Sequence, residues 1–131
     1  MSSANRVGPV SARSVTRLVL AAFMVAIGAA HFLAPAQFAA IVPRALPAPV
    51  TLVLVSGFFE IVGGVGLLVP RVRRAASFGL VALYVAVFPA NVNMAIHQIQ
   101  PDGMHLPPAL LWARLPFQIA FILLALWVGK N

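Results

Sequence analysis

Four long apolar segments alternate with short segments that are rich in proline and basic residues. The apolar segments cover about residues 15–33, 50–69, 75–97 and 107–128. Each has close to the 20 residues that a helix needs to cross the hydrocarbon core of a bilayer. Pro35 and Pro70 close the first two. The pattern therefore predicts an all-α fold, an integral membrane four-helix bundle.

A proline-rich connector, residues 34–49, joins the first two spans. Its PAQFAAIV stretch places Phe38, Ile41 and Val42 at helical spacing, which predicts a short interfacial helix between spans one and two. A secretory signal peptide is the rival interpretation of the N-terminal segment, because a basic leader, an apolar run and small residues follow one another. The length of the apolar run and the His31-Phe32 pair favour a membrane span.

The composition also favours a membrane protein. Of the 131 residues, 62% are hydrophobic and 8% are charged, against about 25% charged residues in ordinary globular domains.

We divide the chain into a basic cytoplasmic leader (1–14), a four-span domain (15–128) and a short cytoplasmic tail (129–131). Because the chain has no cysteine, it carries no disulfide, thiolate metal site, iron–sulfur cluster or thiol redox shuttle of its own.

Basic residues are distributed unequally between the two sides of a four-span arrangement. Those on the side of the termini are Arg6, Arg13, Arg17, Arg71, Arg73, Arg74 and Lys130. Only Arg44 falls in a loop on the other side. Because positive residues favour the cytoplasmic side, both termini are predicted to be cytoplasmic, with the protein in the cell inner (plasma) membrane. The scattered placement at helix ends indicates no nucleic-acid-binding patch.

Polar residues within the spans fall in one half of the bundle, the outer half in this orientation. They are His31, Glu60, Asn91, Asn93, His97, Arg114 and Gln118. Glu60 lies about 15 Å into span two, and Arg114 and Gln118 lie about 10–15 Å into span four, at a rise of about 1.5 Å per residue. Since the other half is nearly free of polar residues, this shared depth indicates one polar cluster.

Glu60 is expected to be paired or protonated, because an isolated charge in hydrocarbon costs about 2.5–3.5 kcal/mol on insertion scales. Arg114 is the basic residue deepest within a span, so we predict a Glu60–Arg114 ion pair completed by Gln118 and an asparagine. Gly57 and Gly63 share a face with Glu60 and leave room for a neighbouring helix. The pair would either fix helix register or form a functional site.

Four motifs, in order, resemble one family of small bacterial membrane proteins. The stretches HFLAP, EIVGGVGLLVP, FPAN and RLPFQ resemble the H-F-x-x-P, E-x-x-G-G-x-G-L-L-x-P, F-P-A-N and R-L-P-x-Q motifs of the DoxX family. The resemblance covers nearly the whole chain after the first dozen residues. It implies a DoxX-like four-helix membrane protein with family motif positions at His31, Glu60, Asn91, Arg114 and Gln118.

The DoxX resemblance implies a role beside a membrane oxidoreductase, since the family is named after thiosulfate:quinone oxidoreductase subunits. We therefore expect an accessory or quinone- or lipophile-binding component, in which the five motif residues bind a ligand or relay protons. Asn93 and His97 are secondary candidates. The sequence assigns neither a catalytic residue nor a metal site. Quinone is the cofactor considered, and a partner protein would have to supply any redox centre. The expected partners are the lipid bilayer, membrane oxidoreductase subunits and further copies of the chain, with no nucleic acid.

Two non-enzymatic functions stay open. A binder or transporter for a small anion or apolar metabolite would use Arg114 for recognition, although the other half of the bundle lacks the polar lining of a channel. A scaffold that recruits subunits would need the polar cluster to set helix register. For His31 the simpler interpretation is an interfacial histidine bonded to a loop carbonyl. A bis-histidine haem with His97 is conceivable, but nothing else in the motifs calls for haem.

Overall fold

The computed structural model describes residues 8–100 and 105–130, where all regular structure is helical. The helices are α1 (Ala12–Leu33), α2 (Pro35–Ala39), α3 (Pro49–Leu68), α4 (Arg73–His97) and α5 (Pro108–Val128). All but α2 are long and apolar enough to cross a membrane. The predicted four-helix membrane bundle is therefore confirmed, and the chain is a multi-pass membrane protein. Arg6 of the predicted leader and Asn131 of the predicted tail lie outside the described residues.

Prolines and one serine set the helix boundaries. Ser11 caps α1 by accepting a hydrogen bond from the Ser14 backbone N–H (3.1 Å), so α1 begins three residues before the predicted span. Pro49 and Pro108 occupy the first turns of α3 and α5, where the missing N–H has no intrahelical partner to lose. The short helix predicted in the connector is present as α2, which begins at Pro35.

Glycines bring α1 and α3 into close antiparallel contact. A Cβ added to Gly28 would lie 2.6 Å from the Gly57 carbonyl oxygen, and one added to Gly64 would lie 2.9 Å from the Ala21 carbonyl oxygen. The two contacts are seven residues apart on both helices, so they fix one register. Without side chains at these points the backbones approach closely, as in other small-residue membrane packings.

Packing follows chain order around the bundle. α1 packs mainly on α3, α3 also on α4, and α4 on α5, and α1 and α5 close the ring with the weakest packing of any two neighbouring long helices. Consequently α3 and α5 lie diagonally opposite each other. We call the end with the connector the connector end. The opposite, basic end carries Arg13, Arg17, Arg71, Arg73, Arg74 and Lys130. That the basic end faces the cytoplasm stays a prediction.

Arg17 joins the first and last long helices at the basic end. Its side chain is buried, Nε donates to the Val128 carbonyl at 2.7 Å, and Nη2 donates to the Lys130 carbonyl at 2.7 Å. These carbonyls lie at and just beyond the C-terminus of α5, where a cation also complements the helix dipole. Arg17 is therefore more than one of the basic residues that distinguish the two ends of the bundle, because it also holds α5 against α1.

Substituting Arg17 with methionine should lower the free energy of unfolding by about 2 kcal/mol, because two charge-assisted hydrogen bonds are lost. Thermal unfolding in mild detergent measures the effect. The matched control is Arg71→Met, an exposed position on the α3–α4 turn, which should change stability by less than about 0.5 kcal/mol. Equal effects of the two substitutions would contradict the role assigned to Arg17.

Candidate functional site

A cavity of about 530 Å³ lies between the long helices, towards the connector end. Its walls are mainly apolar. Of the seven polar residues grouped by depth in the sequence, the five at the motif positions line it: His31, Glu60, Asn91, Arg114 and Gln118. Each of the four long helices contributes to this set, and the connector contributes Phe38 and Ile41 to the lining. The structure therefore brings residues that are far apart in the chain to the walls of one cavity.

His31 and Glu60 form a buried pair on the wall made by α1 and α3. His31 Nδ1 lies 3.4 Å from Glu60 Oε2, and the two residues are 9% and 7% exposed. The glycine contact between the helices creates this pair, since Gly28 precedes His31 by three residues and Gly57 precedes Glu60 by three. A Cβ on Gly57 would lie only 2.7 Å from the His31 Cβ, so a larger residue would displace the histidine.

The proton on the His31 ring is assigned by a second contact. Nδ1 lies 2.7 Å from the Ile27 carbonyl oxygen, and a carbonyl can only accept, so Nδ1 carries the hydrogen. That hydrogen is already used, which leaves Glu60 Oε2 buried without a hydrogen-bond partner. The His31–Glu60 contact is therefore electrostatic, and Glu60 keeps an unused acceptor.

Arg114 does not pair with Glu60, so the predicted ion pair is wrong. In the described part of the chain, Arg114 Nη1 instead contacts the Met94 sulfur at 3.1 Å, and Glu60 lies against His31. Two features separate the charges. α5 is diagonal to α3, and helical side chains lean towards the N-terminus of their own helix, which directs Arg114 towards the connector end. Arg114 is exposed and lies at the edge of the cavity.

Asn91 and Gln118 form a bridge between α4 and α5. The Asn91 side-chain amide donates to Gln118 Oε1, and Gln118 Nε2 donates to the Tyr84 carbonyl oxygen. Gln118 is buried, and both ends of its amide are engaged. Its main role is thus to join the two helices beside the cavity, where an unbonded amide would be costly.

The secondary candidates lie outside the cavity lining. Asn93 donates from Nδ2 to the Ile41 carbonyl at 3.0 Å, which fastens the connector to α4. His97 is exposed, and its Nδ1 lies 3.3 Å from the Asn93 carbonyl oxygen. Because His97 does not line the cavity with His31, the two histidines do not form a haem site there.

Two aromatic residues of the cavity wall were missed in the sequence. Tyr84 is buried and donates its hydroxyl to the Met24 sulfur at 2.9 Å. It precedes Asn91 by seven residues, so helical spacing alone could have placed both on one face of α4. Phe38 of α2 stacks on the His31 ring, with centroids 4.0 Å apart. No local pattern indicated that contact, because it depends on how the connector folds back.

Part of the cavity lining is exposed on α1 and α5, the neighbouring long helices with the weakest mutual packing. Phe117 on α5 is 64% exposed while lining the cavity, and Phe23 on α1 is also exposed. Towards the basic end the seam between these two helices is closed by Phe23 stacked on Phe121, with ring centroids 5.8 Å apart. The apolar wall of the cavity is therefore continuous with the exposed apolar surface of α1 and α5.

Comparison with known proteins changes the family assignment. The family model described as "Domain of unknown function (DUF8561)" matches residues 20–129, so the DoxX assignment is wrong. No curated protein and no solved structure matches the chain. The motifs that suggested DoxX contain glycines that allow helix contact and prolines that end helices. Small membrane bundles need both for packing, so such motifs do not separate one family from another.

Proposed function

We propose that this chain, which belongs to the DUF8561 family, binds a lipophilic small molecule with a polar head group inside the membrane. One observation carries the proposal. A largely apolar cavity of about 530 Å³ contains the buried carboxyl of Glu60, one oxygen of which has no hydrogen-bond partner. Pockets for small molecules typically have volumes of about 300–1,000 Å³, apolar walls and a few polar groups.

The polar groups of the cavity differ in their availability. Gln118 is engaged at both ends and Glu60 retains an acceptor, whereas the hydrogen-bonding partner of Arg114 among the described residues is a thioether sulfur. Arg114 and Glu60 therefore mark the two places where a head group gains most from binding. A buried carboxyl oxygen without a hydrogen-bond partner is costly to stability, which supports a role for Glu60 beyond packing.

Quinones fall within the proposed ligand class, with Arg114 donating to a carbonyl oxygen. A role beside a redox system would then need electrons from a partner subunit. In the predicted orientation the cavity lies in the outer half of the bundle, and the half towards the basic end is filled by a hydrophobic core that includes Leu67, Leu80 and Val128. This packing favours a one-sided binding site over a channel.

Ala90→Phe is the test, because Ala90 lines the cavity and the larger ring would fill it. We expect a lipophile to co-purify with the natural protein in mild detergent and to be identified by mass spectrometry. Ala90→Phe should reduce its amount at least about tenfold, the change that corresponds to about 1.4 kcal/mol of binding free energy. The matched control, Ala82→Phe, changes an exposed position on the same helix and should retain the lipophile.

A scaffold function predicts a different outcome. If Ala90→Phe folds and its co-purified molecules equal those of Ala82→Phe, the cavity holds no ligand and the proposal fails. The His31–Glu60 pair would then serve only to set helix register.

A further inference from the structure

We propose that the ligand is an anionic amphiphile whose carboxylate or phosphate group binds Arg114 at the mouth of the cavity. This inference rests on the proposed lipophile-binding function and names the chemistry of the head group. It is carried by the placement of Arg114, by the charges around the cavity and by the apolar wall next to it.

Arg114 has no anionic partner in the part of the chain that the structure describes. Its contact there is the Met94 sulfur, a weak and uncharged acceptor. A guanidinium has five N–H donors in a fixed fork that matches the oxygens of carboxylate and phosphate groups. Most of that fork is available at the cavity edge, where Arg114 is exposed.

The acidic residue of the cavity cannot neutralise Arg114. Glu60 lies on the diagonally opposite helix and is already 3.4 Å from His31 Nδ1. Glu60 therefore makes no ion pair with Arg114, and within the described residues no acidic side chain contacts the guanidinium. The chain has only one other acidic residue, Asp102, which lies outside the described residues. An external oxyanion is the partner that this arrangement favours.

The walls next to Arg114 suit an acyl chain. Phe117 follows Arg114 by three residues, so both project from neighbouring positions on α5, and both line the cavity. Phe117 and Phe23 continue the apolar wall onto the lipid-facing surface. An amphiphile in the bilayer can therefore place its head group at Arg114 while its chain stays in contact with apolar side chains.

Binding of radiolabelled dodecanoate to the purified protein in an uncharged maltoside detergent tests the inference. Dodecyl phosphate, dodecanol and decylubiquinone serve as competitors of similar chain length. We expect dodecanoate and dodecyl phosphate to bind at least about tenfold more tightly than dodecanol, because only they offer a charged acceptor. A lyso-phosphatidate arm distinguishes the source, since tighter binding of that lipid than of dodecanoate identifies a lipid phosphate.

Three substitutions assign the effect to Arg114. Arg114→Gln should weaken dodecanoate binding at least about tenfold and leave dodecanol binding unchanged. Arg114→Lys should retain a preference for the anion, because the charge is kept although the fork is lost. Arg44→Gln is the matched control, an exposed arginine of the connector that does not line the cavity, and it should bind dodecanoate like the natural chain.

The outcomes separate this inference from the proposed function. Equal or tighter binding of dodecanol or decylubiquinone would overturn the anionic head group and leave lipophile binding in place. If none of these amphiphiles binds, both proposals fail. Should Arg114→Gln not fold, the competition series on the natural chain and Arg114→Lys still decides the matter.

Discussion

Gly57→Leu is expected to separate α1 from α3 and to lower the free energy of unfolding by about 3 kcal/mol. Even the first carbon of a new side chain would lie 2.7 Å from the His31 Cβ and 2.9 Å from the Gly28 carbonyl oxygen. The second of these atoms is backbone and cannot turn aside, so the helices must move apart. Thermal or denaturant unfolding in mild detergent measures the loss, and Gly57→Ala should give a smaller loss in the same direction.

Gly79 offers a matched control for that substitution. It is a helical glycine with no atom within 4 Å of an added Cβ, and it is exposed on α4. Gly79→Ala should be neutral or stabilising by up to about 1 kcal/mol, since alanine is the better helix former. If Gly57→Ala and Gly79→Ala have the same effect, the close contact between α1 and α3 does not contribute to stability as described.

His31→Leu should be the second strongly destabilising change, by about 2–3 kcal/mol. Removing the imidazole leaves the Glu60 carboxyl buried without the polar side chain that lies against it, and a buried polar group without a partner costs about 1–3 kcal/mol, or more if it is charged. Glu60 is 7% exposed and has no hydrogen bond to Oε2, so little else can compensate for the loss of His31. The same unfolding assay gives the size of the effect.

The double substitution His31→Leu/Glu60→Leu provides the control. Replacing both members of a buried pair by apolar residues is often neutral or stabilising, so the double variant should recover most of the stability that His31→Leu loses. A double-mutant cycle measures this coupling. If the two single losses simply add, the 3.4 Å contact carries no interaction energy and the assignment of the pair is wrong.

The helices were predictable because a bilayer imposes a strong constraint on sequence. A run of about 20 apolar residues is enough to place each span, and a proline marks an end of every span except the third. The observed limits differ from the predicted ones by at most three residues. Ser11 accounts for the largest difference, since a polar cap starts α1 before the apolar run begins. The same depth argument grouped seven polar residues, of which five line the cavity, whereas Asn93 and His97 lie outside its lining.

The partner of Glu60 was not predictable from depth along the helices. In the register set by the glycines, His31 lies about six residues nearer the connector end than Glu60, about 9 Å at 1.5 Å per residue. Side chains lean towards the N-terminus of their own helix, and α1 and α3 run in opposite directions. His31 and Glu60 therefore lean towards each other, as the contact between His31 Nδ1 and the Ile27 carbonyl oxygen shows for the histidine.

The order of the helices around the bundle also determines which charged side chains meet. The hydrophobic pattern of one sequence does not reveal that order. Glycines next to Glu60 indicated that some helix approaches closely, but they did not identify α1 as that helix. Arg114 was chosen for its charge and depth, whereas α5 lies diagonally opposite α3. Pairing by charge is unreliable where helix order around the bundle is unknown.

The connector is held in place over the cavity, because Asn93 binds the Ile41 carbonyl and Phe38 stacks on His31. A molecule that enters through the α1–α5 seam must first dissolve in the bilayer, so partitioning into lipid acts as a filter before any protein contact forms. Each methylene contributes about 0.8 kcal/mol to that partitioning. A long-chain ligand of the proposed class would therefore be concentrated around the protein by orders of magnitude, and a modest intrinsic affinity would suffice to fill the cavity at a low aqueous concentration.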